Sequence, residues 1–377
     1  MNRHLRSILL LALALSLLPV AMTSAQKKKR KPRFTEYPVK PYCTECLKKN
    51  LIPGPEKKIR IMEFEGQAVL DHIRSRHVIY IETDDFKLVS TIPGYKINQN
   101  TTSRLLLELP MLKKRFPGIK GKMPRLNRHH VAHLIALHLH RVKLEFWELF
   151  KTRATSYSGI MNRDNKHEIY VFSNQRDYDR FTDRFTGVKA SGGQEIILHA
   201  DNAVGFVRPP PPRAGLNTWN NTIIHMWAHL LLECQIRNGY NMPSWLDAGF
   251  AHWWERREHG NYNTYCYSES REVGIFGSGK WRQRVRRLIT SGKALSFPDF
   301  FDIKDMSSLN NRHHGLAFSI LDFIINTRKK ELRKFVRALG ATDHVDQYQV
   351  FQKSFNRSVP AFDEEWRAWV RKTYPKR

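Results

Sequence analysis

The sequence predicts an α+β fold, with an N-terminal sheet subdomain followed by a helical C-terminal subdomain. Two observations carry this. Short runs rich in β-branched and aromatic residues, such as "HVIYIETDDF" and "HEIYVFSN", fall in the first half of the chain. Apolar residues at helical spacing dominate the second half, and strands first with helices later is the α+β pattern rather than an alternating one.

The elements follow in order. Residues 1–25 read as a signal peptide: "MNRHLR" is a positive start, "SILLLALALSLLPVA" an apolar centre, and "TSA" a small-residue cleavage site before Gln26. Residues 26–55 read as a basic linker that carries a CxxC motif. Residues 56–124 form an N-terminal α+β region, with strands expected in "RIMEFEG" and "HVIYIETDDF" and a helix interrupted by Pro110. Residues 125–375 form the main domain. It opens on a long helix to about Phe150, continues through strands in "HEIYVFSN" and "QEIILHA", and crosses a proline-stiffened loop, "VRPPPPRAG". Helices follow: one from about Thr218 to Asn238, one after Pro243, and several to the C-terminus, with "HHGLAFSILDFIINTRKKELRKFVRALG" reading as one.

Composition narrows the class. An apolar fraction of 41% with 21 Phe and 9 Trp supports a large core. After the signal no run is long enough to span a membrane. The chain is therefore expected to be exported: periplasmic, bound in the cell envelope, or extracellular. The formal net charge of +28 favours acidic proteins, peptides or anionic envelope polymers as partners. No nucleic-acid motif accompanies the basic run "QKKKRKPR". Four cysteines, Cys43, Cys46, Cys234 and Cys266, permit disulfides in an oxidising compartment. Local closure, Cys43 with Cys46 and Cys234 with Cys266, is the expected pairing. "YCTEC" is also half of a zinc knuckle, but no second ligand pair lies nearby in the sequence.

The stretch "IIHMWAHLLLE" places His225 and His229 on one helix face, the spacing of two zinc ligands. With 17 histidines, such a pair arises by chance on the order of once. His129 and His133 form another, on a helix that also carries His130, His138 and His140. That helix reads as solvated and partly core-facing rather than metal-binding.

The segment after the His225 pair is more specific. "PSWLDAGFAHWWE" resembles the stretch of gluzincin metallopeptidases that carries their third zinc ligand. Pro243, Trp245, Leu246, Gly249, Ala251 and Glu255 match. The resemblance, to peptidase-MA-like, thermolysin-type gluzincins, covers about residues 125–375. It implies a gluzincin fold with a cleft between sheet and helices, and a zinc site on His225 and His229. This sequence departs from the pattern twice. Met226 stands at the general-base position, and a thioether accepts no proton. Ala248, reached after 18 intervening residues from His229, stands at the third-ligand position. His252, one turn beyond Ala248, could complete a three-histidine site. His314 stands roughly where related enzymes can carry an oxyanion-stabilising group.

The resemblance therefore implies a catalytically inactive pseudo-peptidase acting as a binding or scaffold protein, with no cofactor expected and zinc as the alternative. An extended peptide along an edge strand such as "QEIILHA" is the expected mode of binding. Two other readings stay open: an active zinc metallopeptidase with an unusual ligand set, and a basic polyanion-binding envelope protein.

Overall fold

The computed structural model describes residues 42–51, 60–61, 64–65, 70–73, 77–101, 104–151, 166–187, 196–198, 204–209, 215–236, 242–260, 263–266, 269, 279–341 and 344–376. The expected signal peptide and the basic run at 26–33 lie outside them.

A six-stranded sheet organises the first half, in the order β1 (Tyr42–Cys43), β4 (Ile79–Glu82), β5 (Phe86–Ser90), β8 (His167–Val171), β10 (Val204–Val207) and β9 (Ile196–Leu198). β4 and β5 form an antiparallel hairpin. Thr83 Oγ1 tightens its turn by accepting from Phe86 N–H at 3.0 Å. β5, β8 and β10 run parallel, and β9 closes one edge antiparallel to β10. The remaining strands form two small hairpins, β2 (Arg60–Ile61) with β3 (Phe64–Glu65) and β6 (Tyr95–Lys96) with β7 (Arg125–Leu126). The sheet thus crosses the boundary expected at residue 124.

Strand side chains alternate between two cores, as a period of two requires. Ile79, Ile81, Phe86, Leu88, Ile169 and Val171 enter the main core. Tyr80, Val89, Tyr170 and Phe206 face the other way and pack on Tyr178 and Phe181 of a covering helix, Gln175–Thr186. Asn174 caps that helix by accepting from Arg176 N–H at 2.8 Å, and Gly187 at φ +66° ends it.

The main core is helical. After the five-residue helix α1 (Thr44–Lys48), the chain forms α2 (Leu109–Arg115), α3 (Arg128–Phe150), the covering helix α4, α5 (Leu216–Glu233) and α6 (Ser244–Glu258). Then come α7 (Trp281–Thr290), α8 (Asn311–Thr327), α9 (Lys329–Leu339), α10 (Gln347–Phe355) and α11 (Val359–Thr373). The single C-terminal helix expected over 313–340 is two, broken at Arg328, whose φ of −136° is not helical and whose guanidinium reaches Glu365 at 2.9 Å. The mixed α and β class holds. α3 is core-facing more than solvated: His129, His133 and His138 are buried, and His130 and His140 are half-buried. α6 lies hard against α8: a Cβ on Gly249 would stand 2.7 Å from the Ala317 carbonyl oxygen.

Among the described residues, no helix is long and apolar enough to cross a membrane.

Candidate metal centre

α5 sits beneath the sheet and presents His225 and His229 away from it, towards α6, Cys266 and Glu269. Their four-residue spacing brings the imidazoles together edge to face, with ring centroids 4.9 Å apart and planes at 71°. The two Nε2 atoms converge to 3.2 Å. The opposite nitrogens face carboxylates: His229 Nδ1 is 2.7 Å from Asp247 Oδ1, and His225 Nδ1 is 3.4 Å from Glu255 Oε2. A carboxylate behind each imidazole is how proteins orient histidine ligands.

Glu269 and Cys266 complete the group. Glu269 Oε2 is 3.2 Å from His225 Nε2 and accepts from the Cys266 N–H at 2.7 Å. The donor atoms of His225, His229, Cys266 and Glu269 all lie within 4.8 Å of one another. Tetrahedral zinc with ordinary bonds to nitrogen and sulfur sets its donors ~3.3–3.8 Å apart. His225 Nε2 lies 3.2 Å from both His229 Nε2 and Glu269 Oε2, just under that range, and the other separations stay within 4.8 Å. The imidazoles and the thiol are fully buried and Glu269 is 1% exposed.

The carboxylates favour positive charge on this group, which the imidazoles carry as protons. Burial alone would push His225 and His229 down. The charge of Glu269 on His225 and of Asp247 on His229, with hydrogen bonds that include Cys266, raises both well above the ordinary histidine value. Burial likewise works to raise Glu269, but His225, His314 and His252 hold it well below the usual carboxylate range.

His252 belongs to two overlapping groups that could also hold a metal ion, one with His225 and Glu255 and one with Glu269 and His314. Its Nδ1 is 3.3 Å from Glu255 Oε2 and its Nε2 is 3.1 Å from His314 Nδ1. His314, in the first turn of α8, lies 3.5 Å from Glu269 Oε1, and burial pushes its pKa down to about 3. Ala248 is buried in the main core. Met226 points the other way: a Cβ built on Gly205 of β10 would stand 3.8 Å from Met226 Cβ and Cε.

Cys43, Cys46, Cys234 and Cys266 are all buried and all stand as free thiols. Cys234 Sγ donates to the Leu231 carbonyl at 2.9 Å, while Cys266 belongs to the histidine group. Cys43 and Cys46 face His129 and His133. The sequence pointed to His225, His229 and the Glu255 motif position, but not to Glu269. No apolar period in the sequence marks that residue, and Cys266 three residues earlier was the only signal.

No protein-family model matches this sequence, and no curated protein matches it.

Proposed function

We propose that this chain is a non-catalytic, gluzincin-like binding or scaffold protein. It holds zinc in a closed centre made by His225, His229, Cys266 and Glu269. The carrying observation is the convergence of four protein donors, all buried, on one point. Structural zinc sites fill four positions with protein ligands, whereas catalytic ones keep a position open for water. Met226 turned towards β10 leaves no base where the resemblance puts one. The zinc fastens α5 to Cys266 and Glu269, with Asp247 and Glu255 of α6 behind the two imidazoles.

Two features fit an acidic peptide as the partner. β9 is the edge of the six-stranded sheet, where a peptide can add by backbone pairing. A cleft of about 400 Å³ is lined by Trp253, Arg256, Arg257, Lys280 and Arg282, with Phe318 at its wall. Its charged lining residues are all cationic.

The active-peptidase reading keeps one specific support. Glu269 Oε1 makes no hydrogen bond, so a shift of that carboxylate would open a position for water. Elemental analysis of purified protein beside its His225→Ala variant, together with a peptide-hydrolysis assay, tests both. About one zinc per chain lost in the variant, with no turnover, supports the closed centre. Zinc-dependent turnover establishes the enzyme instead, and identical zinc content in the two proteins ends both readings.

A further inference from the structure

We propose that Cys43, Cys46, His129 and His133 form a separate zinc centre that clamps the N-terminal strand and helix of the described fold to α3. It is independent of the centre on α5. The ligands come from two distant pieces of chain. Cys43 ends β1 and Cys46 lies in α1, while His129 and His133 are one turn apart in the first turns of α3. His129 Nε2 is 3.4 Å from Cys43 Sγ and 3.2 Å from Cys46 Sγ, and His133 Nε2 is 3.3 Å from Cys46 Sγ. These are close to the ~3.3–3.8 Å donor separations of a tetrahedral zinc site.

The chemistry of the set selects the ion. Two thiolates with two imidazoles in a compact group suit zinc over calcium or magnesium, which take oxygen donors. Two thiolates also balance the charge of a divalent ion, so the buried centre carries no net charge. The surroundings are dry. Cys43, Cys46 and His133 are fully buried, and Phe116 covers the imidazoles with its ring centroid 5.2 Å from His129 and 5.1 Å from His133. Arg115 Nη2 reaches within 4.0 Å of Cys46 Sγ, a cation placed to favour the thiolate.

The clamp has mechanical sense. β1 is two residues long and, among the described residues, pairs only with β4, and α1 is five residues long. Segments this short hold little structure by themselves. Four metal bonds fix both against the start of α3.

The test is metal content and thiol protection of the full chain, purified under reducing conditions. The expected total is ~2 zinc ions per chain. Cys46→Ser and His133→Ala each remove about one, and His225→Ala removes a different one, so the double variant His133→Ala/His225→Ala holds none. His133→Cys, which restores a zinc donor, keeps the full content. In unaltered protein, iodoacetamide leaves Cys43 and Cys46 unmodified until a strong chelator is added, which needs no variant to fold. Equal zinc content in unaltered, Cys46→Ser and His133→Ala proteins overturns the proposal. So does alkylation of both thiols before chelation, or their isolation as a Cys43–Cys46 disulfide. Loss of zinc only with His225→Ala would leave the α5 centre standing and remove this one.

Discussion

Asp247 Oδ1 stands 2.7 Å from His229 Nδ1, and this pair turns His229 Nε2 towards His225. Asp247 immediately precedes Ala248, where the resemblance places a glutamate ligand. On this α6 the carboxylate is one position early. It reaches the back of the imidazole and orients a ligand instead of being one.

Removing that support should weaken the centre without emptying it. Partners that orient ligating histidines are typically worth ~10–100-fold in metal affinity. Asp247→Asn keeps the shape and removes the charge, so zinc affinity falls by about that factor while the fold survives. Chelator competition measures it. Unchanged affinity would mean that His229 is oriented by packing alone.

The two remaining cysteines should separate cleanly. Cys266 belongs to the donor group on α5, whereas Cys234 is occupied by the Leu231 carbonyl, and burial pushes its thiol pKa up. Cys266→Ser therefore loses about one zinc per chain and Cys234→Ser loses none. Equal losses, or none from Cys266→Ser, would remove the thiol from the centre.

Both histidine pairs were legible in the sequence, because four-residue spacing on a helix is a local signal. What completes them was not. Cys43 and Cys46 meet His129 and His133 across more than 80 residues, a juxtaposition set by the sheet rather than by any local pattern. α3 is more buried than its sequence suggests, for a related reason. It is buried around most of its surface, so three of its histidines lie in the core and blur the apolar stripe. The edge strand in "QEIILHA" was legible from its β-branched run. Its partner β10 was not: "VGFV" is short and carries Gly205, which pairs with Ile169 and leaves room for Met226 beneath the sheet.

Two glycines next to this helical layer should respond in opposite ways. A Cβ at Gly249 meets the backbone of α8 at Ala317, with the carbonyl oxygen at 2.7 Å and its carbon at 2.8 Å, and neither can move cheaply. Gly249→Ala forces α6 from α8 and costs ~1–3 kcal/mol, the usual range for overpacking. At Gly205 the nearest atom is Leu230 Cδ1 at 3.4 Å, the end of a side chain that can adjust. Gly205→Ala is neutral, or stabilises by up to ~1 kcal/mol through lost chain entropy. Denaturant midpoints compare the two. A Gly249→Ala protein as stable as the parent would show that α6 and α8 do not touch as described.

His167 should shape the acid limb of stability. It is buried at the start of β8, edge-on to Trp227 with ring centroids 5.0 Å apart. Burial, then the charge of Lys143, push its pKa down to about 3, against a smaller opposing hydrogen bond with the Leu230 backbone. The unfolded chain protonates this imidazole near its ordinary value of 6.5. Between these two values the unfolded state holds a proton that the folded state does not, so stability rises with pH across the window. The contribution is complete above about pH 6.5 and is lost as pH falls towards 3, at up to ~1.4 kcal/mol per pH unit. His167→Gln has no proton to take up there. Its unfolding free energy, measured by urea titration at matched metal content from pH 7 to pH 4, falls less steeply than that of the parent. Parallel curves would mean that His167 already carries a proton in the fold, and that the acid limb belongs to other groups.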